Sequence, residues 1–301
     1  MTEDRLNYTE IDLKEIYLLL KRNIKFILTF FGIFTFLGVL YSLFINNIYT
    51  AKTTFMPTSL SQSADINSSA FNFSSFSMLD INQGDPNVDI AIAYVNSLQI
   101  IEELSKFESF LPDLMASIKW DLDNNELTYD HNIFDKNERK WVREVDPPYN
   151  VIPSAQEAQK IFSKSVSISQ DKTTNLVKLS VDHISPYVAR TWALWIAEEV
   201  NSFVANLRIN EYKKSIEFLD EQIQLSPYAE VRTSLYELMQ KKIQQMMLAK
   251  VNPEYVLTTI DPPVVAEIHS TPNRILIIAF AAFFSLCFGA FIVLIKHFFN
   301  L

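Results

Sequence analysis

The residue types that carry most enzyme chemistry are present in this chain, but they do not form a recognisable catalytic pattern. The four histidines are scattered without H-x-x-x-H spacing: His131, His183, His269 and His297. The single cysteine, Cys287, lies in an apolar run, and no G-x-S-x-G sequence marks a serine nucleophile. Glycoside hydrolysis by two carboxylates stays open, because a sequence gives no distance between its many acidic groups. We predict no catalytic residues and expect the chain not to be an enzyme.

Glycine is too scarce for a nucleotide-binding loop. Of the four glycines, Gly32, Gly38 and Gly289 lie in two apolar runs, which leaves Gly84 alone between them. No G-x-x-x-x-G-K-[ST] sequence occurs, so we expect neither ATPase nor kinase activity from this chain by itself. No cofactor is predicted.

One acidic stretch has part of the spacing of a calcium loop. Asp121, Asp123 and Asn125 occupy positions one, three and five of such a loop. Glu126 stands where the loop needs glycine, and Asn132 stands where it needs a bidentate carboxylate. We therefore interpret residues 119–146 as solvated loop and turn and predict no metal site.

Charge is unevenly distributed along the chain. Residues 49–273 hold 19 basic and 30 acidic side chains, a net charge of −11, whereas the whole chain carries −9. Such an acidic region repels nucleic acid and anionic membrane surfaces. We therefore expect no nucleic-acid partner.

Two uncharged apolar runs flank this acidic region. Phe26–Ile45 contains 20 residues and Ile275–Ile295 contains 21. As a helix, either run spans the ~30 Å hydrocarbon core of a bilayer. The first is longer than the ~7–15 residue apolar core of a signal peptide, and the second is apolar all round. We predict transmembrane helices at 26–45 and 275–295, with the lipid bilayer as a partner.

Basic residues determine the predicted orientation. Lys14, Lys21, Arg22 and Lys25 precede the first span, whereas Lys52 alone follows it closely. Because basic residues near a span stay in the cytoplasm, we predict a cytoplasmic segment at 1–25. Two crossings then place residues 46–274 outside as one domain and return the tail, 296–301, to the cytoplasm.

The outer domain begins with strand-like and helical patterns. Alternation over Tyr49–Met56 predicts a strand that ends at Pro57, and residues 58–85 form a mobile or partner-facing segment rich in serine, asparagine and phenylalanine. Near-helical apolar spacing predicts one helix over 89–107. A capping box of Ser154 and Glu157 opens another helix, and residues 165–170 and 176–182 predict a β-hairpin.

The longest predicted element begins at Ser185-Pro186 and runs to Leu225 without glycine or proline. Its apolar stripe includes Trp192, Leu207 and Ile216. A second helix is predicted over 229–251, and the two form either an antiparallel hairpin or one bent rod. Their leftover apolar face predicts contact with another subunit or with the base.

A last strand over 255–260 is predicted to lie beside the first one. The fold class is therefore α+β: two transmembrane helices flank a domain with a mixed α/β base and a long protruding helical hairpin.

A further set of stretches is spread over nearly the whole chain: Glu10 to Leu13, Leu18 to Arg22, Tyr49 to Pro57, Pro153-Ser154 with Glu157-Ala158, His183 to Ala189, Ser215 to Leu219, Glu254 to Pro262 and Pro272-Asn273-Arg274. Through these residues the chain resembles the polysaccharide co-polymerase family, the Wzz-type O-antigen chain-length determinants of bacterial inner membranes.

The resemblance implies an inner-membrane protein with a periplasmic domain, assembled as a homo-oligomer. It also implies control of glycan chain length in partnership with the O-antigen polymerase and lipid-linked glycan, without catalytic residues. The family's second span often holds several glycines, whereas this one has only Gly289. Candidate partner or subunit contacts are Gly32, Gly38, Pro272, Arg274, Gly289, Trp192, Leu207 and Ile216.

Two alternatives to this function remain open from the sequence. The chain could be a two-span periplasmic sensor or adaptor that acts through a separate partner. It could also be a membrane-tethered glycan hydrolase, since the acidic residues are numerous.

Overall fold

The computed structural model describes residues 13–58 and 85–298 and separates them into two units. One unit holds the described residues of 1–47 and 269–301, and the other is Ile48–Ile268. The predicted partner-facing segment at 58–85 lies outside the described residues, apart from its two end residues.

The elements are numbered in chain order over the described residues. The helices are α1 (Leu13–Arg22), α2 (Ile24–Phe44), α3 (Pro86–Val95), α4 (Leu98–Leu104), α5 (Phe110–Met115), α6 (Ala155–Ser165), α7 (Pro186–Leu225), α8 (Ala229–Val251) and α9 (Arg274–Phe298). The strands are β1 (Tyr49–Pro57), β2 (Ser117–Asp121), β3 (Glu126–Tyr129), β4 (Phe134–Asp135), β5 (Lys140–Trp141), β6 (Val166–Gln170), β7 (Val177–His183) and β8 (Leu257–Asp261).

Helices α2 and α9 form the first unit together with α1. Both α2 and α9 are long and apolar enough to cross a membrane, and only 6% and 11% of their apolar windows are buried. A core helix of a soluble protein would bury most of its apolar surface, whereas a lipid-facing helix leaves it exposed. The two predicted spans therefore correspond to α2 and α9.

The second unit is built on a four-stranded antiparallel sheet with the order β6-β7-β1-β8. Along β1, alternate residues Ala51, Thr53 and Phe55 are buried, as expected for a half-buried strand. Tyr49 pairs with His183 of β7, and Pro57 pairs with Leu257 of β8. The predicted β6–β7 hairpin and the predicted pairing of the first and last strands are both confirmed.

The first half of α7 packs on this sheet and supplies much of the core. Ile196, Val200 and Val204 lie on one helix face at a spacing of four residues, and all are buried. The facing strand buries Val177, Leu179 and Val181. Full burial of each such side chain contributes ~1.5–3 kcal/mol before conformational entropy is counted, which holds helix and sheet together.

The predicted capping box at the start of α6 is also present. The Ser154 hydroxyl accepts a hydrogen bond from Glu157 N at 3.3 Å, and the Glu157 carboxylate accepts one from Ser154 N at 2.9 Å. These bonds satisfy backbone donors that the first helical turn leaves free. The helix can then place Ala158 and Phe162 in the core.

Helices α7 and α8 form an antiparallel hairpin, which resolves the two alternatives left by the sequence. α7 has 40 residues and α8 has 23, joined by a short turn at Ser226–Tyr228. The Lys242 ammonium lies 5.4 Å from the centre of the Tyr212 ring, at corresponding distances from the turn. Within the hairpin, Leu219 and Ile223 of α7 and Ala249 of α8 are buried.

The single helix predicted over 89–107 is wrong, because this stretch forms α3 and α4 with a break at Asn96-Ser97. Asn96 Nδ2 donates to Ile92 O at 2.8 Å, and Ser97 Oγ donates to Tyr94 O at 2.7 Å. Short polar side chains that bond the preceding turn compete with continuation of the helix. The change of direction lets both helices bury apolar residues in the same core.

The interpretation of residues 119–146 as loop is also wrong in part, since two small hairpins, β2–β3 and β4–β5, lie there. The turn of the first contains the residues with calcium-loop spacing. The Asp121 carboxylate accepts bonds from Asp123 N and Asn124 Nδ2, at 3.0 and 2.9 Å, and thus fixes the turn itself. Asn125 adopts a φ of 51°, which asparagine tolerates better than most residues.

Candidate assembly surfaces and buried polar contacts

The glycines of the two spans differ in their surroundings. A Cβ placed on Gly38 would lie 2.6 Å from the Ala281 Cβ of the other span, so α2 and α9 approach closely there. Gly289 lies against Ile27 and Phe30 at ordinary van der Waals distance, 3.5 Å. Nothing lies within 4 Å of a Cβ on Gly32 among the described residues. Gly38 and Gly289 therefore pack the two spans of one chain, whereas Gly32 presents an open surface.

Pro272 and Arg274 precede and begin α9, and both are half-buried. Arg274 Nη2 donates a hydrogen bond to Asn47 Oδ1 at 2.9 Å. Its Nε is buried without a hydrogen-bond partner among the described residues. This bond joins the residues that follow α2 to the start of α9.

Trp192 is a core residue, so the prediction that it contacts a partner is corrected. Its side chain is fully buried, with ring centres 5.0 Å from those of Phe110 and His183. The apolar stripe was identified correctly, but the half of α7 that carries Trp192 packs on the sheet. In this half of α7 the apolar stripe is buried against the sheet, so it is not available for contact with another subunit.

Leu207 and Ile216 are half-buried on the later part of α7. A set of exposed apolar side chains lies along the end of α7, the turn and α8, and we call this set the hairpin face. Each member has at least 45% of its surface exposed: Leu225, Tyr228, Val231, Tyr236, Leu238, Met247 and Val251. Such a concentration of exposed large apolar residues is typical of surfaces that bind another protein.

A buried polar cluster joins α5 to two hairpins. The Tyr129 hydroxyl donates to Asp113 Oδ1 at 2.6 Å, His183 Nε2 lies 3.1 Å from Asp113 O, and Ser185 N donates to His183 Nδ1 at 3.0 Å. Burial raises the pKa of Asp113 to about 6 against the opposing effect of hydrogen bonds from Tyr129 and Ser109. Burial also lowers the pKa of His183.

This cluster does not have the geometry of a glycosidase. A glycosidase needs a carboxyl group of raised pKa that can reach the glycosidic oxygen. Asp113 has such a raised pKa, but only 5% of its surface is exposed. Residues 13–58 and 85–298 also contain no group of three or more His, Cys, Asp or Glu side chains that could hold a metal ion.

Asn201 is a second buried polar contact, and the sequence reasoning missed it. Its Oδ1 accepts hydrogen bonds from Val256 N and Leu257 N at 3.0 and 2.9 Å, and its Nδ2 donates to Leu257 O at 3.1 Å. Asn201 thereby fixes the start of β8 to α7. The available signal was one amide inside the otherwise apolar stripe between Val200 and Val204.

Comparison with known proteins agrees with the motifs. Residues 9–107 match the family model described as "Wzz: Chain length determinant protein". No match is found among curated proteins. These 99 residues include α1, the first span and β1.

Two solved structures are similar at low identity. A full-length bacterial polysaccharide co-polymerase is 11% identical, with 96% of this chain and 98% of that one covered and a TM-score of 0.40. A fragment of WzzB, a polysaccharide co-polymerase from Salmonella Typhimurium, is 14% identical, with coverages of 75% and 100% and a TM-score of 0.30. Residues 9–107 are thus similar to the Wzz chain-length determinants, the family that the sequence motifs resemble.

Proposed function

We propose that this protein is a non-enzymatic, oligomeric scaffold of the inner membrane that regulates the length of O-antigen or a related surface polysaccharide. The match of residues 9–107 to the chain-length determinant family is the observation that carries the proposal. In this proposal the two spans hold the protein beside the O-antigen polymerase and its lipid-linked glycan, and the outer domains of several copies associate.

The hairpin face supports the self-association part of the proposal. It is apolar, exposed and formed by α7, α8 and their turn, so a second copy can cover it without rearranging the core. Burial of exposed apolar surface is the main driving force of protein association. The acidic outer domain argues against nucleic acid as the occupant.

The function is tested by deletion of the gene in a strain that makes O-antigen, followed by electrophoresis of its lipopolysaccharide. We expect the modal chain length to disappear on deletion and to return with the wild-type gene on a plasmid. An unchanged ladder after deletion would contradict a role in chain-length control.

The scaffold part is tested by a pair of neighbouring substitutions on α8. Leu238→Asp places a charge on the hairpin face, whereas Glu237→Gln alters an exposed polar neighbour. We expect Leu238→Asp alone to reduce the mass of the detergent-solubilised assembly and to broaden the ladder. Equal mass and equal ladders for both variants would exclude this face as an assembly surface.

A further inference from the structure

A small cavity lies at the base of the helical hairpin. It has a volume of about 200 Å³ and is lined by residues that include Asp85, Asn87, Tyr212, Gln245, Leu248 and Tyr255. These side chains come from the start of α3, from α7 and α8, and from the segment that leads into β8. Since one water occupies ~30 Å³ in the liquid, the cavity holds either a handful of waters or one small ring.

The cavity contains an unsatisfied hydrogen-bond acceptor. The Gln245 amide oxygen is buried and has no hydrogen-bond partner among the described residues. A buried acceptor without a hydrogen bond lowers the stability of the folded state by ~1–3 kcal/mol, so we expect a ligand or a water to donate a hydrogen bond to it. Gln245 is therefore the group that most directly indicates an occupant.

The remaining polar groups are neutral or already fixed in position. The Tyr212 and Tyr255 hydroxyls lie 3.3 Å apart, and burial raises the pKa of Tyr255, so its phenol stays protonated. Arg208 Nε donates to Asn87 Oδ1 at 2.7 Å, which leaves the Asn87 amide nitrogen as the donor that a ligand can use. The cavity thus offers both donors and acceptors for hydroxyl groups.

The charges around the cavity argue against an anionic ligand. Asp85 contributes a carboxylate that accepts a hydrogen bond from Asn87 N at 2.9 Å. The nearby Arg208 is committed to Asn87 and to Glu211, whose carboxylate lies 2.6 Å from Arg208 Nη1. A phosphate or a uronic acid would therefore meet the Asp85 carboxylate, while Arg208 is already bound and the Lys242 ammonium lies over the Tyr212 ring.

The apolar part of the lining completes the match to a sugar ring. Leu248 and the two tyrosine rings provide flat or aliphatic surface, whereas the amides and hydroxyls provide directed hydrogen bonds. Binding sites for small polar ligands combine mostly apolar walls with a few placed polar groups. Aromatic faces suit the C–H face of a pyranose.

We propose that this cavity binds one neutral sugar ring of the glycan whose length the protein regulates. The choice of glycan as ligand rests on the proposed function, whereas the preference for an uncharged, hydroxylated ring rests on the cavity. One hydroxyl group of the ring would donate a hydrogen bond to Gln245 Oε1, and others would hydrogen-bond to the hydroxyls of Tyr212 and Tyr255.

The test uses the full chain in detergent, titrated with methyl glycosides of neutral hexoses and with a uronic acid as the charged comparison, and observed by saturation-transfer NMR and calorimetry. We expect saturable binding of at least one neutral glycoside and none of the uronic acid. Gln245→Leu should weaken binding about tenfold, the effect of one lost hydrogen bond to a buried group. The matched control is Gln244→Leu, at the exposed neighbouring position, which should leave binding unchanged.

A stability measurement separates ligand binding from a structural role. Because Gln245→Leu removes an unpaired buried oxygen, it should leave the unfolding temperature equal or higher while it weakens sugar binding. Absence of saturable binding by the wild type, or equal binding by both glutamine variants, would overturn the cavity proposal. The gene deletion tests the proposed function separately. If the protein controls chain length but binds no glycoside, only the cavity proposal is refuted.

Discussion

Asn201 shows how one buried side chain joins the long helix to the returning strand. Substitution by alanine removes the acceptor of two buried backbone N–H groups and leaves both without that partner. At ~1–3 kcal/mol for each of the two unsatisfied groups, we expect Asn201→Ala to lower the free energy of unfolding by about 2–6 kcal/mol. Denaturant unfolding of the detergent-solubilised chain, followed by tryptophan fluorescence, measures this loss.

Asn206 provides the matched control for that measurement. It lies on the same helix, is exposed, and donates only a long 3.4 Å hydrogen bond to Ser202 Oγ. Asn206→Ala should change the free energy of unfolding by less than about 0.5 kcal/mol. If the two variants were equally stable, the Asn201 hydrogen bonds would not be responsible for holding β8 on α7.

Asp113 makes the stability of the domain depend on pH. Its pKa rises from the usual value of 3.8 to about 6 in the folded protein, so the folded state holds the proton more tightly than the unfolded state. The resulting stabilisation is complete below the unfolded pKa and is lost as the pH rises through the folded one. Asp113→Asn stays neutral at every pH and should therefore keep this stabilisation.

We expect the Asp113→Asn variant to become more stable than the wild type by up to about 3 kcal/mol as the pH rises from about 4 to about 6, with a constant difference above that range. The lowered pKa of His183 has the opposite sign, because its stabilisation is lost as the pH falls below 6.5. Both proteins contain His183, so this effect largely cancels in the comparison. Thermal unfolding at a series of pH values is the measurement, and parallel curves for the two proteins would contradict the assignment to Asp113.

Among the elements, the close approach of α2 and α9 depends on Gly38. A methyl group at this position would lie 2.6 Å from Ala281 Cβ, which forces the helices apart. We expect Gly38→Ala to destabilise the pair of spans by about 1–3 kcal/mol, the usual cost of overpacking. The measurement is the unfolding temperature in detergent.

Gly32→Ala is the control for the span pair, because nothing in the described chain lies within 4 Å of the added carbon. Alanine also has the better helix propensity, by ~0.8–1.0 kcal/mol, so this variant should be unchanged or slightly more stable. Equal destabilisation by both substitutions would mean that glycine flexibility, and not the Ala281 contact, matters in α2.

The elements that sequence reasoning predicted correctly are those whose signals are local. Three of these signals each lie within a few residues: the capping box at Ser154, the helix start at Ser185-Pro186 and the alternation in β1. The β2–β3 hairpin was missed because its turn contains asparagines without glycine, with Asn125 alone at positive φ. The spacing of aspartates drew attention to calcium, although those side chains fix the turn.

The site was less predictable than the fold, because the sequence of an apolar stripe does not show which of its residues are buried in the core. Trp192 and Leu207 belong to one stripe, yet the first is fully buried and the second is half-buried. Gly38 was identified from its place in a span, but the residue that it faces belongs to the other end of the sequence. Tyr212, Gln245 and Tyr255 share a cavity only because α8 folds back along α7.

For the whole molecule, the orientation in the membrane is the property on which the proposed function most depends. Regulation of a periplasmic polymer requires residues 48–268 to lie on the side opposite the basic N-terminal segment. Lys21, Arg22 and Lys25 before the first span predict this arrangement, since basic residues are retained in the cytoplasm. The prediction can be tested by labelling single cysteines, because Cys287 is the one native cysteine.

In a Cys287→Ala background, Thr173→Cys places a thiol in the exposed turn of the β6–β7 hairpin, and Tyr17→Cys places one on α1. With a membrane-impermeant maleimide and a permeabilised outer membrane, we expect Thr173→Cys to react in intact cells. Tyr17→Cys should react only after the inner membrane is broken. The reverse pattern would place the domain in the cytoplasm, where neither the hairpin face nor the cavity could meet a periplasmic glycan, and both proposals would then fail together.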